Sequence, residues 1–207
     1  MRILLETERM ILRRLTEVDV DDLYALDADP LVMRFLTNGN PTPYEEIRDE
    51  TLPNLLAEYD RTGGLGRWAA VQKSTGEFLG WFALRVPAHG PPGEAELGYR
   101  LRSSVWGQGY ATEGARALVQ AAFVSLGLRR VYAQTMAVNL ASRRVMEKAG
   151  LTFDRVFHLT FDDPIPGTEH GEVEYATYAD THEASAQSPE GSAQTYEGSA
   201  QTHEGKA

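Results

Sequence analysis

RSSVWGQGYATEGARALVQAAF, residues 102–123, sets three glycines within eight residues at the mouth of an apolar segment. From Ala111 onward, Ala115, Leu118, Val119, Ala122, Phe123 and Leu126 recur at the spacing of a buried helical stripe, and Gly127 stands where a helix C-cap belongs. On either side the period changes: EAELGYRLR (94–102) and RRVYAQTMAV (129–138) read as strands. Strand, glycine turn, helix, strand is a βαβ unit, whose two strands run parallel in one sheet. The fold class is therefore α/β, with part of the sheet parallel.

Glycines ahead of a helix let backbone approach a ligand closely, while the unpaired amides of the first turn point at it. That arrangement suits a phosphate, and a ligand-free tight turn would use the same residues. Two common phosphate motifs are excluded directly. A P-loop ends in Gly-Lys-Ser/Thr, which the chain lacks, and a dinucleotide fingerprint needs Gly or Ala at position 112, which is Thr.

Working outward, residues 9–16 read as a first strand and EVDVDDLYALDADPLVMRFL as a helix, a turn and a second short helix. TPYEEIRDETLPNLLAEYDRTGG reads as a helix kinked at Pro53 and closed by Gly63 and Gly64. GRWAAVQKSTGEFLGWFALRV is a hairpin turning at Ser74-Thr75-Gly76. NLASRRVMEKAG forms a short helix with Asn139 as N-cap and Gly150 beyond its C-terminus, and LTFDRVFHL and GEVEYATYA supply two final strands around an acidic loop. Trp68, Trp81, Tyr59 and Phe35 read as core aromatics, with pocket lining as the alternative.

The 207 residues suit one well-cored domain, read here as residues 1–179. Residues 180–207 hold a degenerate seven-residue repeat, EASAQSP EGSAQTY EGSAQTH, without apolar positions to pack, and read as a disordered acidic tail. Net charge is −10, of which the tail carries −4, so the body's −6 argues against nucleic acid as a partner. Cysteine is absent, which excludes disulfides, thiolate nucleophiles and cysteine-ligated metals; His89, His158 and His170 lack ligand spacing, so no metal site is expected. No apolar run reaches membrane-span length, and Glu6 comes too early for a secretory signal, so a cytoplasmic protein is expected.

WGQGYA (106–111) resembles the pyrophosphate loop of the GNAT superfamily of acetyl-CoA-dependent N-acetyltransferases, Gln/Arg-x-x-Gly-x-Gly/Ala, with Trp106 in place of the leading Gln or Arg. The form W-G-x-G-Y-A-T-E is similar to the branch of ribosomal-protein N-terminal acetyltransferases. VNLASRRVMEKAGL (138–151) resembles that branch's N-x-x-S-x-R-V-x-E-K-x-G-F, ending in Leu151 for Phe, and AELGYRL resembles its fourth strand. The likeness spans about residues 7–178. It implies a mixed, mostly antiparallel sheet of about six to seven strands with flanking helices, whose parallel fourth and fifth strands splay apart.

Carried over residue by residue, the resemblance implies that the amides of Gln108, Gly109, Tyr110, Ala111 and Thr112 hold the pyrophosphate of acetyl-CoA. Pantetheine would lie in the splay, bonded to backbone near Tyr99 and Leu101, with Asn139 and Ser142 against its arm or sulfur. Arg129 and Arg130 would reach the coenzyme's 3′-phosphate or else decorate a helix end. Many relatives place a donor Tyr where Met146 stands here. In the resembled branch a serine takes that role, which makes Ser142 the candidate acid. Glu96 is the candidate base, while His158, Asp162, Asp163, Glu169 and His170 are weaker acceptor-site candidates.

The reaction implied is direct attack of a neutral amine on the thioester. A lysine amine near pKa 10.4 must be deprotonated at a cost of about 4.6 kcal/mol at pH 7, an α-amine near 7.7–8.0 at only about 1–1.4. The absence of an obvious catalytic dyad favours a peptide N-terminus or a small-molecule amine of low pKa over lysine, and the α-amine of a protein or peptide N-terminus is the leading acceptor. An aminoglycoside, polyamine or amino acid is the alternative acceptor, and a non-catalytic coenzyme-A-binding module is a third reading. A homodimer is common in the resembled branch.

Overall fold

The computed structural model describes residues 3–87 and 90–181. The repeat read as a disordered tail lies outside the described residues from position 182 onward, as does His89. One eight-stranded sheet runs through the chain: β1 Ile3–Glu6, β2 Met10–Arg14, β3 Gly66–Gln72, β4 Phe78–Arg85, β5 Glu94–Leu101, β6 Arg130–Met136, β7 Thr152–Phe157 and β8 Glu172–Tyr178, in the order β1-β2-β3-β4-β5-β6-β8-β7. Every neighbouring pair is antiparallel except β5 with β6.

All seven expected strands form. The eighth, β1, is a four-residue edge strand, Ile-Leu-Leu-Glu, without polar–apolar alternation, folded back on β2 by a turn in which Thr7 N–H donates to the Met10 carbonyl. It moves the expected fourth–fifth parallel pair to β5 and β6.

The helices are α1 Val20–Asp27, α2 Pro30–Met33, α3 Tyr44–Glu46, α4 Leu52–Arg61, α5 Tyr110–Val124 and α6 Leu140–Lys148. Pro53 does not break the third segment. A π-helical turn, Ile47–Thr51, joins α3 to α4, and its wider spacing gives the proline ring room where the carbonyl four residues back would clash.

Strand alternation divides the core. In β3, Trp68 enters the cluster under α5 with Phe82, Leu84, Leu97, Leu118, Val119 and Val131, and Ala69 enters the opposite cluster under α1, α2 and α4 with Leu23, Leu26, Leu55 and Phe78. Each large aliphatic side chain buried this way contributes roughly 1.5–3 kcal/mol.

Entry into α1 is fixed by a buried carboxylate. Asp19 accepts from Arg13 Nη1 at 2.8 Å and Nη2 at 2.6 Å, and from Thr16 N–H at 2.7 Å. Burial alone would raise its pKa, but the bonds from Arg13 and Thr16 hold it below the usual carboxylate range. The stabilisation is therefore present at neutral pH and is lost as pH falls through the depressed folded value. Asp19→Asn turns one acceptor into a donor aimed at these groups and is expected to cost about 2 kcal/mol in urea unfolding at pH 7. An unchanged midpoint would overturn this account.

Candidate active site

Parallel pairing between β5 and β6 stops early. Glu94, Ala95 and Glu96 pair with Arg130, Val131 and Tyr132, and there the ladder ends. From Leu97 to Leu101, β5 stays on β4 alone, with Gly98 opposite Ala83 and Leu101 opposite Gly80, while β6 follows β8. The two facing edges diverge into a cleft whose main-chain donors and acceptors have no strand partner. Gly80 holds β5 to its course: at φ +139°, a Cβ there would stand 2.1 Å from the Arg100 carbonyl oxygen, so only glycine permits this approach.

The loop from Trp106 to Gly109 closes one end of the cleft. Gly109 is the N-cap of α5 in the left-handed region, φ +86°, and Gly107 has φ +74°. The first intrahelical bond runs from Glu113 N–H to the Gly109 carbonyl at 3.0 Å. The amides of Tyr110, Ala111 and Thr112 precede it and are the orphan donors of a fifteen-residue helix, at the positive end of its dipole. Trp106 ties the loop to the splayed strand, its indole N–H donating to the Leu101 carbonyl at 2.8 Å. That carbonyl is thereby engaged.

Across the cleft, α6 opens on Asn139, whose Oδ1 accepts from Ser142 N–H at 3.2 Å and whose Nδ2 donates to Thr135 Oγ1 at 3.1 Å. The expected N-cap is in place. Tyr99 lies on the α5/α6 face of β5 with Leu97 and Leu101, and its hydroxyl is 3.0 Å from both the carbonyl oxygen and Oγ of Ser142. Burial pushes the Tyr99 phenol up to about 12, against an opposing pull from its bond to Ser142. Met146, one helical turn beyond Ser142, is buried.

The opposite face is polar. Glu96 has its Oε1 2.7 Å from Arg85 Nη2. It sits on the other side of the sheet from Tyr99, so the two sequence-derived catalytic candidates, Glu96 and Ser142, flank the cleft from opposite faces. Glu174 is almost fully buried and accepts from Arg130 at 2.6 Å, Gln134 at 2.7 Å and Arg155 at 3.1 Å. Burial alone would raise its pKa, but these bonds keep the carboxyl low. With Glu94 and Tyr132 these groups line a cavity of about 470 Å³. Glu172, opposite Met136 in β6 and Phe157 in β7, behaves differently: burial raises its pKa, and it has no ion-pair partner among the described residues.

The β7–β8 loop forms an open surface pocket of about 630 Å³, lined by His158, Phe161, Ile165 and Glu169 among others. Asp162, Asp163 and His170 are solvent-exposed. Trp68 and Tyr59 are core residues, whereas Trp81 is half-buried between the guanidiniums of Arg67 and Arg100. Arg129 donates to the Pro92 carbonyl, and Arg130 is bound to Glu94 and Glu174. Both lie past the C-terminus of α5, about 22 Å of helix from its N-terminal loop.

A cleft between splayed parallel strands, closed by a glycine loop at a helix N-terminus, offers unpaired main-chain groups along its edge and orphan amides at its end, an arrangement suited to an extended ligand that carries an anion. The chain belongs to the GNAT acetyltransferases: the family's acetyltransferase (GNAT) domain matches residues 9–152. It is 42% identical over 158 residues to the FsC-acetyl coenzyme A-N(2)-transacetylase of Aspergillus fumigatus, covering 73% of this chain and 66% of that protein. Among solved structures it resembles the acetyltransferase from Agrobacterium tumefaciens, with TM-score 0.65, 28% identity, and 86% and 95% of the two chains covered. It also resembles RimL, a ribosomal L7/L12 alpha-N-protein acetyltransferase in complex with coenzyme A, with TM-score 0.71, 22% identity, and 86% and 99% covered; at that identity the likeness shows the fold. The chain is an N-acetyltransferase that uses acetyl-CoA. Among the described residues no helix is long and apolar enough to cross a membrane.

Three features escaped the sequence reading: the side chain of Tyr99 against Ser142, the Glu172 carboxyl beside the end of β6, unpaired among the described residues, and the contacts of Arg9 to the glycine loop. Strand alternation could have put Tyr99 on the α6 face. The other two depend on pairings remote in sequence.

Proposed function

We propose that the chain transfers the acetyl group of acetyl-CoA to an α-amine, in the first instance that of a peptide N-terminus. The observation that carries this reading is the two-sided cleft, with hydroxyls of Tyr99 and Ser142 on one face and carboxylates on the other. The pyrophosphate lies on the amides of Gln108 to Thr112 and the pantetheine along the open edge of β5 by Tyr99 and Leu101, with Asn139 at the far side. The neutral amine enters from the polar face and attacks the thioester carbonyl carbon. The carbon–sulfur bond breaks, the sulfur takes the proton of Ser142, the amine nitrogen gives one up to a carboxylate, and exchange with solvent returns that proton to the serine oxygen, leaving amide, free thiol and unchanged enzyme.

Glu172 suits the second task better than Glu96. Its carboxyl has no cation to hold it ionised among the described residues, whereas Glu96 is engaged by Arg85. An α-amine needs only about 1–1.4 kcal/mol to be neutral at pH 7, so a carboxylate base of modest strength suffices.

A second reading, a small molecule bearing its amine at an N(2) position, is favoured by the name of the 42% identical relative. Thiol release from acetyl-CoA, followed with a thiol-reactive dye across N-terminal peptides, amino-acid derivatives, lysine peptides, polyamines and aminoglycosides, tests both. The protein has no cysteine to add background. Saturating turnover with the first or second class is expected. Turnover confined to lysine side chains or polyamines would overturn the α-amine assignment.

A further inference from the structure

The turn between β1 and β2 reaches across to the glycine loop through one residue. Arg9 Nη1 donates to the Gln108 carbonyl at 2.9 Å, its Nε donates to Glu113 Oε2 at 2.6 Å, and its backbone N–H donates to Glu113 Oε1 at 2.9 Å. Thr7 Oγ1 adds a bond to the same carboxylate at 2.6 Å. The guanidinium lies 4.2 Å over the ring of Tyr110, and its Nη2 is 3.4 Å from where a Cβ on Gly109 would sit. One side chain thus touches three of the six residues from Gln108 to Glu113 and lies beside a fourth, Gly109.

We propose that Arg9 is a positioning residue for acetyl-CoA: it orients the glycine loop and neutralises Glu113, so that the amides at the mouth of α5 meet the coenzyme's pyrophosphate with no uncompensated negative charge behind them. The inference rests on reading that loop as the pyrophosphate site. Two physical arguments support it. In a trans peptide the carbonyl and the following N–H point in opposite directions, so drawing the Gln108 carbonyl to Arg9 turns the Gly109 N–H away from it, outward from the loop. Glu113 sits in the first turn of α5, where a carboxylate gains from the helix dipole but would repel a second anion at the same terminus. Arg9 offsets that charge at contact distance.

The test compares binding of coenzyme A with that of S-acetylpantetheine, which lacks the pyrophosphate, by calorimetry on the full chain. Arg9→Met is expected to weaken coenzyme A about tenfold or more and to leave S-acetylpantetheine within about twofold. Arg9→Lys, which keeps the charge without the fork to Gln108, should fall between. Adding Glu113→Gln to Arg9→Met should recover severalfold of the lost affinity, which relief of a purely structural defect would not do. Equal weakening of both ligands, or no recovery in the double variant, overturns the role of Arg9. Wild-type protein that binds both ligands equally well would instead overturn the reading of the loop.

Discussion

Ser142→Ala is expected to lower kcat by about 10²-fold or more while leaving coenzyme A affinity within about threefold, because its hydroxyl acts on the departing sulfur and not on the bound cosubstrate. The hydroxyl does not stand alone. Tyr99 approaches it at 3.0 Å from the neighbouring strand, and the family's more usual donor position, one turn along α6, holds a buried methionine that cannot donate. The phenol's one hydrogen has two acceptors at 3.0 Å, the Ser142 carbonyl oxygen and Oγ, and by turning from the first to the second it can replace a proton leaving Ser142, so Tyr99→Phe is expected to cost about tenfold in kcat. The double variant should lose little more than Ser142→Ala alone, because both substitutions interrupt one relay. Fully multiplicative losses would assign Tyr99 a packing role only. The pH profile separates these cases further. With its pKa pushed up to about 12, the phenol stays protonated across any practical assay range, so the relay predicts no alkaline fall in kcat from this group. An alkaline limb that disappears in Tyr99→Phe would contradict it.

The parts of the site legible beforehand were those coded within a few residues. The run from 102 to 123 carries its own turn glycines and helical stripe, and Asn139 caps a helix through Ser142, three residues on. Such features follow from local backbone geometry and survive in any fold that contains them. The contacts that now matter most for chemistry join distant positions: Tyr99 with Ser142 across 43 residues, Arg9 with Glu113 across 104. No periodicity links such pairs, since each depends on which strand lies beside which. The same reason explains Glu96. Its place on the strand was read, but the Arg85 opposite it belongs to β4, and the register across the intervening loop is set by tertiary packing. Ile3–Glu6 was missed for a different reason, as four residues with no alternation carry too little pattern to be called a strand.

Gly114→Ala should both destabilise the protein and abolish coenzyme A binding, although helix propensity alone predicts the reverse. Inside a helix, alanine is favoured over glycine by roughly 1 kcal/mol. A Cβ at position 114, however, would fall 2.3 Å from Cζ of Phe82 and within 2.7 Å of both neighbouring ring carbons. Phe82 is fully buried in the cluster beneath α5 and cannot swing into solvent. The helix must therefore lift from β4, at an overpacking cost of up to about 3 kcal/mol, which outweighs the propensity gain. The movement also has a functional consequence, because Gly114 lies one turn from the amides at the helix mouth, and Trp106 ties that mouth to Leu101 in β5. Raising α5 separates the loop from the cleft it closes. Urea unfolding should show a net loss of about 2 kcal/mol, with coenzyme A affinity reduced beyond detection in the fraction that remains folded. A stabilised variant that binds normally would show that α5 has room to spare over Phe82, and that the closeness of helix and sheet at Gly114 does not set the position of the cosubstrate loop.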